Sequence, residues 1–250
     1  MTVTKAAPAP WYMIDGGRYD GPESFLDPRD HPWLRILEDN WETIRDEVGA
    51  LLERHEERLE PYFNRLMFFP PRSWKTMGFY FWTWRIHKNC RACPKTVAIL
   101  ESIPNMTAGS VSVLEPHSNI NPHQGDTNAI IRTHVGLVIP APLPACGLQV
   151  GRDVRGWEEG RAIPFIDATT HSSWNQSDRR RVVLIVDVMR PEFAHRTFAV
   201  CTHVLASTFL QDVYQRFGWL NGLPGSVKYA LHAAARAFLT VALPLQRLQR

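Results

Sequence analysis

Three of the chain's ten histidines, His117, His123 and His134, fall within one segment, EPHSNINPHQGDTNAIIRTHVGLVIP. His123 stands in a Pro/Asn/Gly-rich turn just ahead of an apolar run, a place where a side chain is held at the mouth of a cavity. Arg132 and His134 lie two apart within that run, so in a strand they share one face. Burying an arginine and a histidine together is costly unless an anion pairs with them. Further on, Asp167-Ala-Thr-Thr-His171 follows a second apolar run, and Arg181 opens a third after the polar turn NQSDRR. Neutral imidazoles bind iron well, and two histidines plus a carboxylate on a face with open positions are the mark of non-haem Fe(II) oxygenases. An inward arginine is the bidentate partner of a carboxylate such as that of 2-oxoglutarate. Spacing alone leaves a competing reading, in which these are satisfied core or surface histidines.

The elements that must position these residues are short. Runs of β-branched and aromatic residues separated by turn signals occupy 78–84, 110–114, 129–139, 147–150, 162–166 and 182–188, the pattern of an all-β sandwich or barrel. Ahead of them, Leu34, Leu37, Trp41, Ile44, Val48, Leu51 and Leu52 recur at three- and four-residue intervals, which predicts an amphipathic helix between Pro32 and Pro61. Residues 1–30 read as an extended lead-in punctuated by Gly16-Gly17, Gly21-Pro22 and Asp27-Pro28. Residues 31–200 form the expected main domain, with a β core at about 78–192. Residues 201–250 are read as a basic helical extension, in which Arg216, Lys228, Arg236, Arg247 and Arg250 face Asp212 alone. There Leu231, Ala235, Phe238, Val241, Ala242 and Leu245 mark an apolar face interrupted at Pro244. The stretch is too short and too polar to span a bilayer. Packing on the domain's own β core is the ordinary reading of that face, and contact with a membrane surface through 226–250 is the alternative.

Composition excludes several classes. The 250 residues are 44% hydrophobic and 21% charged with a net charge of +3, which excludes a disordered tail or a collagen-like rod. No Lys/Arg-rich run supports nucleic-acid binding. Four cysteines are too few for a disulfide framework, and MTVTKAAPAP lacks the apolar centre of a signal peptide, so a reducing, cytoplasmic setting is expected, with peripheral membrane contact as the alternative.

The segments PHQGDTNAIIRTHVGLVIP, WEEGRAIPFIDATTHSSWN and RRVVLIVDVMRPE closely resemble the aspartyl/asparaginyl β-hydroxylase family of Fe(II)/2-oxoglutarate-dependent dioxygenases. The likeness is densest over 109–192 and reaches back through RSWKTMGFYFW and CRACPKT to about residue 30. It implies a mainly β fold, a double-stranded β-helix (jelly roll, cupin-like) with flanking N- and C-terminal helices. It also implies Fe(II) as cofactor, with 2-oxoglutarate and O2 as cosubstrates. Carried over by position, His123 and His171 match the two iron ligands and Arg181 the anchor of the distal carboxylate, with Ser112 as its helper. Arg132 and His134 match the RxH pair that contacts the cosubstrate, and Trp74 resembles an aromatic lining the pocket.

Where most 2-oxoglutarate oxygenases place a carboxylate two residues after the first histidine, this chain has Gly125. The resemblance implies that two histidines and water suffice. Asp126 next door is either a water-holding or substrate-facing group or a turn residue of GDTN. Asp167 either braces His171 or shapes its turn. His117 and Asn119 border the expected site as possible substrate contacts. Cys90 and Cys93 have C-x-x-C spacing without the further ligands that zinc needs. The expected reaction is hydroxylation of an unactivated C–H in an amino acid, peptide or small biosynthetic intermediate, as in natural-product tailoring. A membrane-proximal lipid acyl-chain hydroxylase and a non-catalytic cupin-like binding module are the alternatives.

Overall fold

The computed structural model describes residues 9–22 and 24–247, so the first eight residues of the expected lead-in, and Arg250, lie outside the described residues. Eight strands build the barrel: β5 (Met106–Leu114), β6 (Ser118–His123), β7 (Ile130–Val138), β8 (Cys146–Val150), β9 (Asp153–Arg155), β10 (Ala162–Ile166), β11 (His171–Asn175) and β12 (Arg181–Met189). Four shorter or earlier strands, β1 (Glu60–Pro61), β2 (Phe68–Phe69), β3 (Trp74–Phe81) and β4 (Trp84–Arg85), extend the edges. One sheet runs β1-β3-β5-β12-β7-β10 with β4 on β3, and the other runs β2-β6-β11-β8-β9. Apart from the β8–β9 hairpin, successive barrel strands alternate between the sheets, and every ladder is antiparallel. This is the double-stranded β-helix, or jelly roll.

The period-2 rule sorts the larger sheet. Val111 and Val113 of β5, Val135 and Leu137 of β7, and Val182, Leu184 and Val186 of β12 pack outward against helices. Ser112, Arg132, His134, Arg181 and Asp187 occupy the opposite parity on the same strands and so face the barrel interior. The outer core is completed by α1 (Leu34–Glu38), α2 (Trp41–Arg54) and α4 (Pro94–Glu101), which follows the short α3 (His87–Ala92). Ile44, Val48 and Leu51 are the buried stripe of α2. Its Glu47 accepts hydrogen bonds from the first free N–H groups of α4, Lys95 N at 3.0 Å and Thr96 N at 2.7 Å, locking the two helices together.

Several local expectations need correction. The single helix expected between Pro32 and Pro61 is two helices, broken at Asp39-Asn40 and ended at Arg54, well before Pro61. The run 78–84 is a hairpin rather than one strand: Trp82 and Thr83 both adopt positive φ (48° and 68°), the geometry of a tight turn joining β3 to β4. Near the C-terminus, α5 (Thr197–Arg216) buries Val200, Cys201, Val204 and Leu205 against Trp82, Ile130, Met189 and Phe193. The last helix, α6 (Gly225–Arg247), runs through Pro244 without interruption. It packs chiefly on α5 and β4, not on the β core, and turns Leu239 and Leu243 inward. Leu231, Phe238, Val241 and Leu245 of the expected packing face are left exposed. The amide of Gln246 holds α6 to β4 like an added strand, accepting from Arg85 N at 3.0 Å and donating to Arg85 O at 2.5 Å.

Candidate active site

His123 ends β6, His171 opens β11, and the β6–β11 ladder sets them directly opposite each other. Their rings lie 4.1 Å apart between centroids. Each Nδ1 stands 2.8 Å from a backbone carbonyl, Asn121 O for His123 and Thr169 O for His171. A carbonyl only accepts, so Nδ1 carries the proton and the Nε2 lone pair is left free. Burial pushes His123 down to about 4 and His171 well below its ordinary value, so both are neutral near pH 7. Two neutral imidazoles with fixed tautomers and free Nε2 atoms are the arrangement a divalent metal requires. Among the described residues, no third His, Cys, Asp or Glu joins them in a possible ligand group.

The missing carboxylate has a steric explanation. Gly125 donates its N–H to Asp167 O at 2.8 Å, and a Cβ at position 125 would stand inside the Asp167 carboxylate. Asp167 is buried, with Oδ1 3.9 Å from His171 Nε2 and 2.5 Å from Arg132 Nη1. Arg132 in turn holds Asp187 with both arms of its guanidinium, Nε to Oδ1 at 2.8 Å and Nη2 to Oδ2 at 2.7 Å. Arg132 is therefore committed to two buried carboxylates. Burial raises Asp167, with Arg132 opposing the shift. Asp126, half-buried in the same wall, is pushed up to about 6 by burial and lines the cavity together with Gln211 of α5. It is thus a built part of the cavity wall rather than only a turn residue. Asp187 and Gln211 escaped sequence reasoning. The available signal for Asp187 was a single carboxylate inside the apolar run VVLIVDVM, paired in register with Arg132.

Arg181 is a second buried cation, on the inward face of β12 and away from the cavity lining. It is 1% exposed, its guanidinium lies 4.8 Å over the Trp157 ring, and the side-chain hydrogen bond it makes among the described residues is a long one to Ser112 O at 3.5 Å. No carboxylate pairs with it among the described residues, and its Nε is buried without a partner. Burial lowers it to about 10. A buried, uncompensated cation costs several kcal/mol and is retained where an anionic ligand comes to meet it. His134, neutral and buried near Trp157 and Phe165, leaves its Nδ1 without a partner in the same interior. Ser112 is buried and its Oγ accepts from Trp74 Nε1 at 3.0 Å, while Trp74 stacks on Tyr62 at 3.9 Å and lies 6.3 Å from the His123 ring.

A cavity of about 840 Å³ reaches His123, while His171, His134, Ser112 and Arg181 do not line it. His123, Trp74, Arg132, Asp126 and Asp167 line it, with Tyr62, Phe63, Met67, Phe81 and, from α5, Thr208 and Gln211. His117 and Asn119 do not line it: His117 has positive φ and pairs with Asp178 at 2.9 Å at the surface, and Asn119 bonds Asn121 at 2.8 Å. Cys90 and Cys93 are buried free thiols, both pushed up by burial, Cys93 to about 12.

The model of the family described as Aspartyl/Asparaginyl beta-hydroxylase matches residues 38–191. The chain belongs to the aspartyl/asparaginyl β-hydroxylase family. Among relatives of this hydroxylase family, it is 33% identical over 165 residues to the ornithine lipid ester-linked acyl 2-hydroxylase of Rhizobium tropici, covering 64% of this chain and 58% of that one. It is 32% identical over 164 residues to the human aspartyl/asparaginyl beta-hydroxylase, covering 64% of this chain and 21% of that one. The match thus spans less than two thirds of either relative. A solved prolyl-4-hydroxylase of Pseudomonas putida superposes with a TM-score of 0.45 at 12% identity, over 64% of this chain and all of that one. The family match stops before α5, so both C-terminal helices lie outside it.

Proposed function

We propose that this domain is an Fe(II)/2-oxoglutarate-dependent dioxygenase that hydroxylates an unactivated C–H bond. The observation that carries this reading is the pairing of two neutral histidines, each with a free Nε2, with a fully buried arginine that has no counter-ion among the described residues. The first pair fits a divalent metal and the second group fits the far carboxylate of a keto acid. Fe(II) held at His123 and His171 would supply oxygen activation coupled to decarboxylation of 2-oxoglutarate to succinate.

The chain's own contribution is placement. Arg181, backed by Trp157 and assisted by Ser112, compensates the distal carboxylate in a dry interior where that attraction is strong. Trp74, fixed by Ser112 and Tyr62, forms the wall beside His123. Asp167 keeps its carboxylate by His171, held there by Arg132 rather than by the metal. Arg132 supports the reading as a brace, its guanidinium being occupied by Asp187 and Asp167, while His134 remains available to the cosubstrate.

The preferred substrate is an amino acid, peptide or small biosynthetic intermediate reaching the site through the 840 Å³ cavity. A lipid acyl chain is the second reading. It is favoured by the apolar side chains on the cavity's outer wall, Met13, Phe63, Met67 and Phe81, and by the likeness to the Rhizobium tropici enzyme. Succinate formation from 2-oxoglutarate with Fe(II), measured with and without candidate substrates, tests the reaction. Turnover that disappears in Arg181→Ala and His171→Ala is expected. Succinate formation unchanged in both variants contradicts the assignment, and none in the parent protein with any candidate favours a binding module.

A further inference from the structure

The last helix shows its more apolar side to solvent. Along α6, His232, Leu239, Leu243 and Gln246 face α5 and β4. Val227, Leu231, Ala234, Phe238, Val241 and Leu245 recur at alternating four- and three-residue intervals and form a second stripe on an exposed face. Phe238, Val241 and Leu245 are 68%, 63% and 56% exposed. The exposure continues around the hairpin tip, where Trp219 is 73% and Tyr229 77% exposed. An unpartnered patch of this kind marks an interaction surface.

Charge selects the occupant. Five Lys/Arg and no Asp/Glu follow residue 212; Arg216 pairs with Asp212 at 2.9 Å, which leaves Lys228, Arg236, Arg247 and Arg250 as the cationic excess. A two-fold pairing with a second copy would set this cationic segment against itself, whereas anionic headgroups are complementary to it. An apolar face with aromatic residues at its end and cations on the other faces is the make-up of a helix lying in a lipid–water interface. No helix among the described residues is long and apolar enough to cross a membrane. We propose that the α5–α6 hairpin docks the domain on an anionic lipid surface through the stripe Val227–Leu245. The docked hairpin adjoins the cavity, because Thr208 and Gln211 of α5 line it and exposed Phe209 lies between them in sequence. The inference stands apart from the catalytic reading, since lipid binding is measured without metal or cosubstrate.

The test is flotation of the full chain with phosphatidylcholine vesicles, with and without phosphatidylglycerol, at low and high salt. A triple variant, Phe238→Ser, Val241→Ser and Leu245→Ser, is compared after circular dichroism verifies an unchanged melting temperature; all three positions are more than half exposed. Expected are binding to the anionic vesicles that weakens with salt, and a fall of at least about tenfold in partitioning for the variant. Absence of binding by the parent protein at low salt overturns the proposal, as does equal binding by the variant. A parent protein that sediments as a dimer and becomes monomeric in the variant also overturns it, assigning the stripe to a second copy.

Discussion

Arg181 carries opposite consequences for stability and for ligand binding. Replacing it by Met removes a buried cation that has no carboxylate partner among the described residues, so the cosubstrate-free protein should melt higher, by about 2–4 °C for each kcal/mol recovered. The same change should remove the stabilisation that 2-oxoglutarate confers and raise its apparent KM by about 100-fold or more. Thermal melts with and without the keto acid separate the two effects; a variant that melts lower yet keeps the ligand-induced shift contradicts the role. Gly125 makes a second residue-level case. Gly125→Ala drives a methyl into the Asp167 carboxylate and should cost about 1–3 kcal/mol while loosening the Arg132–Asp167 pair. An unchanged melting temperature would show that Asp167 moves aside freely. Sequence spacing identified His123, His171 and Arg181 as candidates, because each is a costly residue at a turn or strand end. It did not reveal that Asp167 fills the space beside Gly125, since that contact joins residues 42 positions apart through a fold-level approach.

At the scale of elements, the strands bearing the histidines were the hardest to see. SNINPH and HSSWN are polar and irregular, yet they are β6 and β11, and their pairing sets His171 against His123. Their signal lies in cross-strand register, which periodicity along one segment does not contain. The outer sheet was more legible, because Val135, Leu137, Leu184 and Val186 alternate with inward residues. In sequence, helix α5 is legible only as part of a helical extension from residue 201, without bounds of its own: it is buried on several sides, through Val200, Cys201, Thr202, Val204, Leu205 and Ala206, which blurs any period in its sequence. The α5–α6 contact contains His203, stacked on Tyr12 at 3.9 Å and 4.6 Å from His232. Burial, reinforced by His232, lowers His203 to about 4. Its folded value lies below that of the unfolded chain, so the unfolded state takes up the proton first and stability is lost as pH falls from about 6.5 toward 4. His203→Phe should flatten the melting-temperature profile across that window relative to the parent protein, a difference that isolates this group from the carboxylates of the cavity. Identical profiles would show that His203 stays solvated.

For the whole molecule, the barrel holds two distinct electrostatic environments, only one of which lines the cavity. On the cavity side, Asp126, Asp167 and Asp187 gather around Arg132; in the interior, Arg181 has no carboxylate partner among the described residues. This division offers a divalent cation nearby negative charge without a third protein ligand, and offers a keto acid a separate cationic anchor. The C-terminal hairpin closes the cavity wall at Gln211 and presents its apolar stripe outward, joining the site to a proposed lipid surface. The central claim is that the histidine pair and Arg181 together receive a metal and a keto acid. It is tested most directly by adding Fe(II) and 2-oxoglutarate to the purified chain without oxygen and recording its visible absorption. A charge-transfer band that requires both additions, and is lost in His171→Ala and at matched concentrations in Arg181→Met, is the predicted result. Absence of a band when metal analysis finds no bound iron would contradict the account and return the barrel to a binding role.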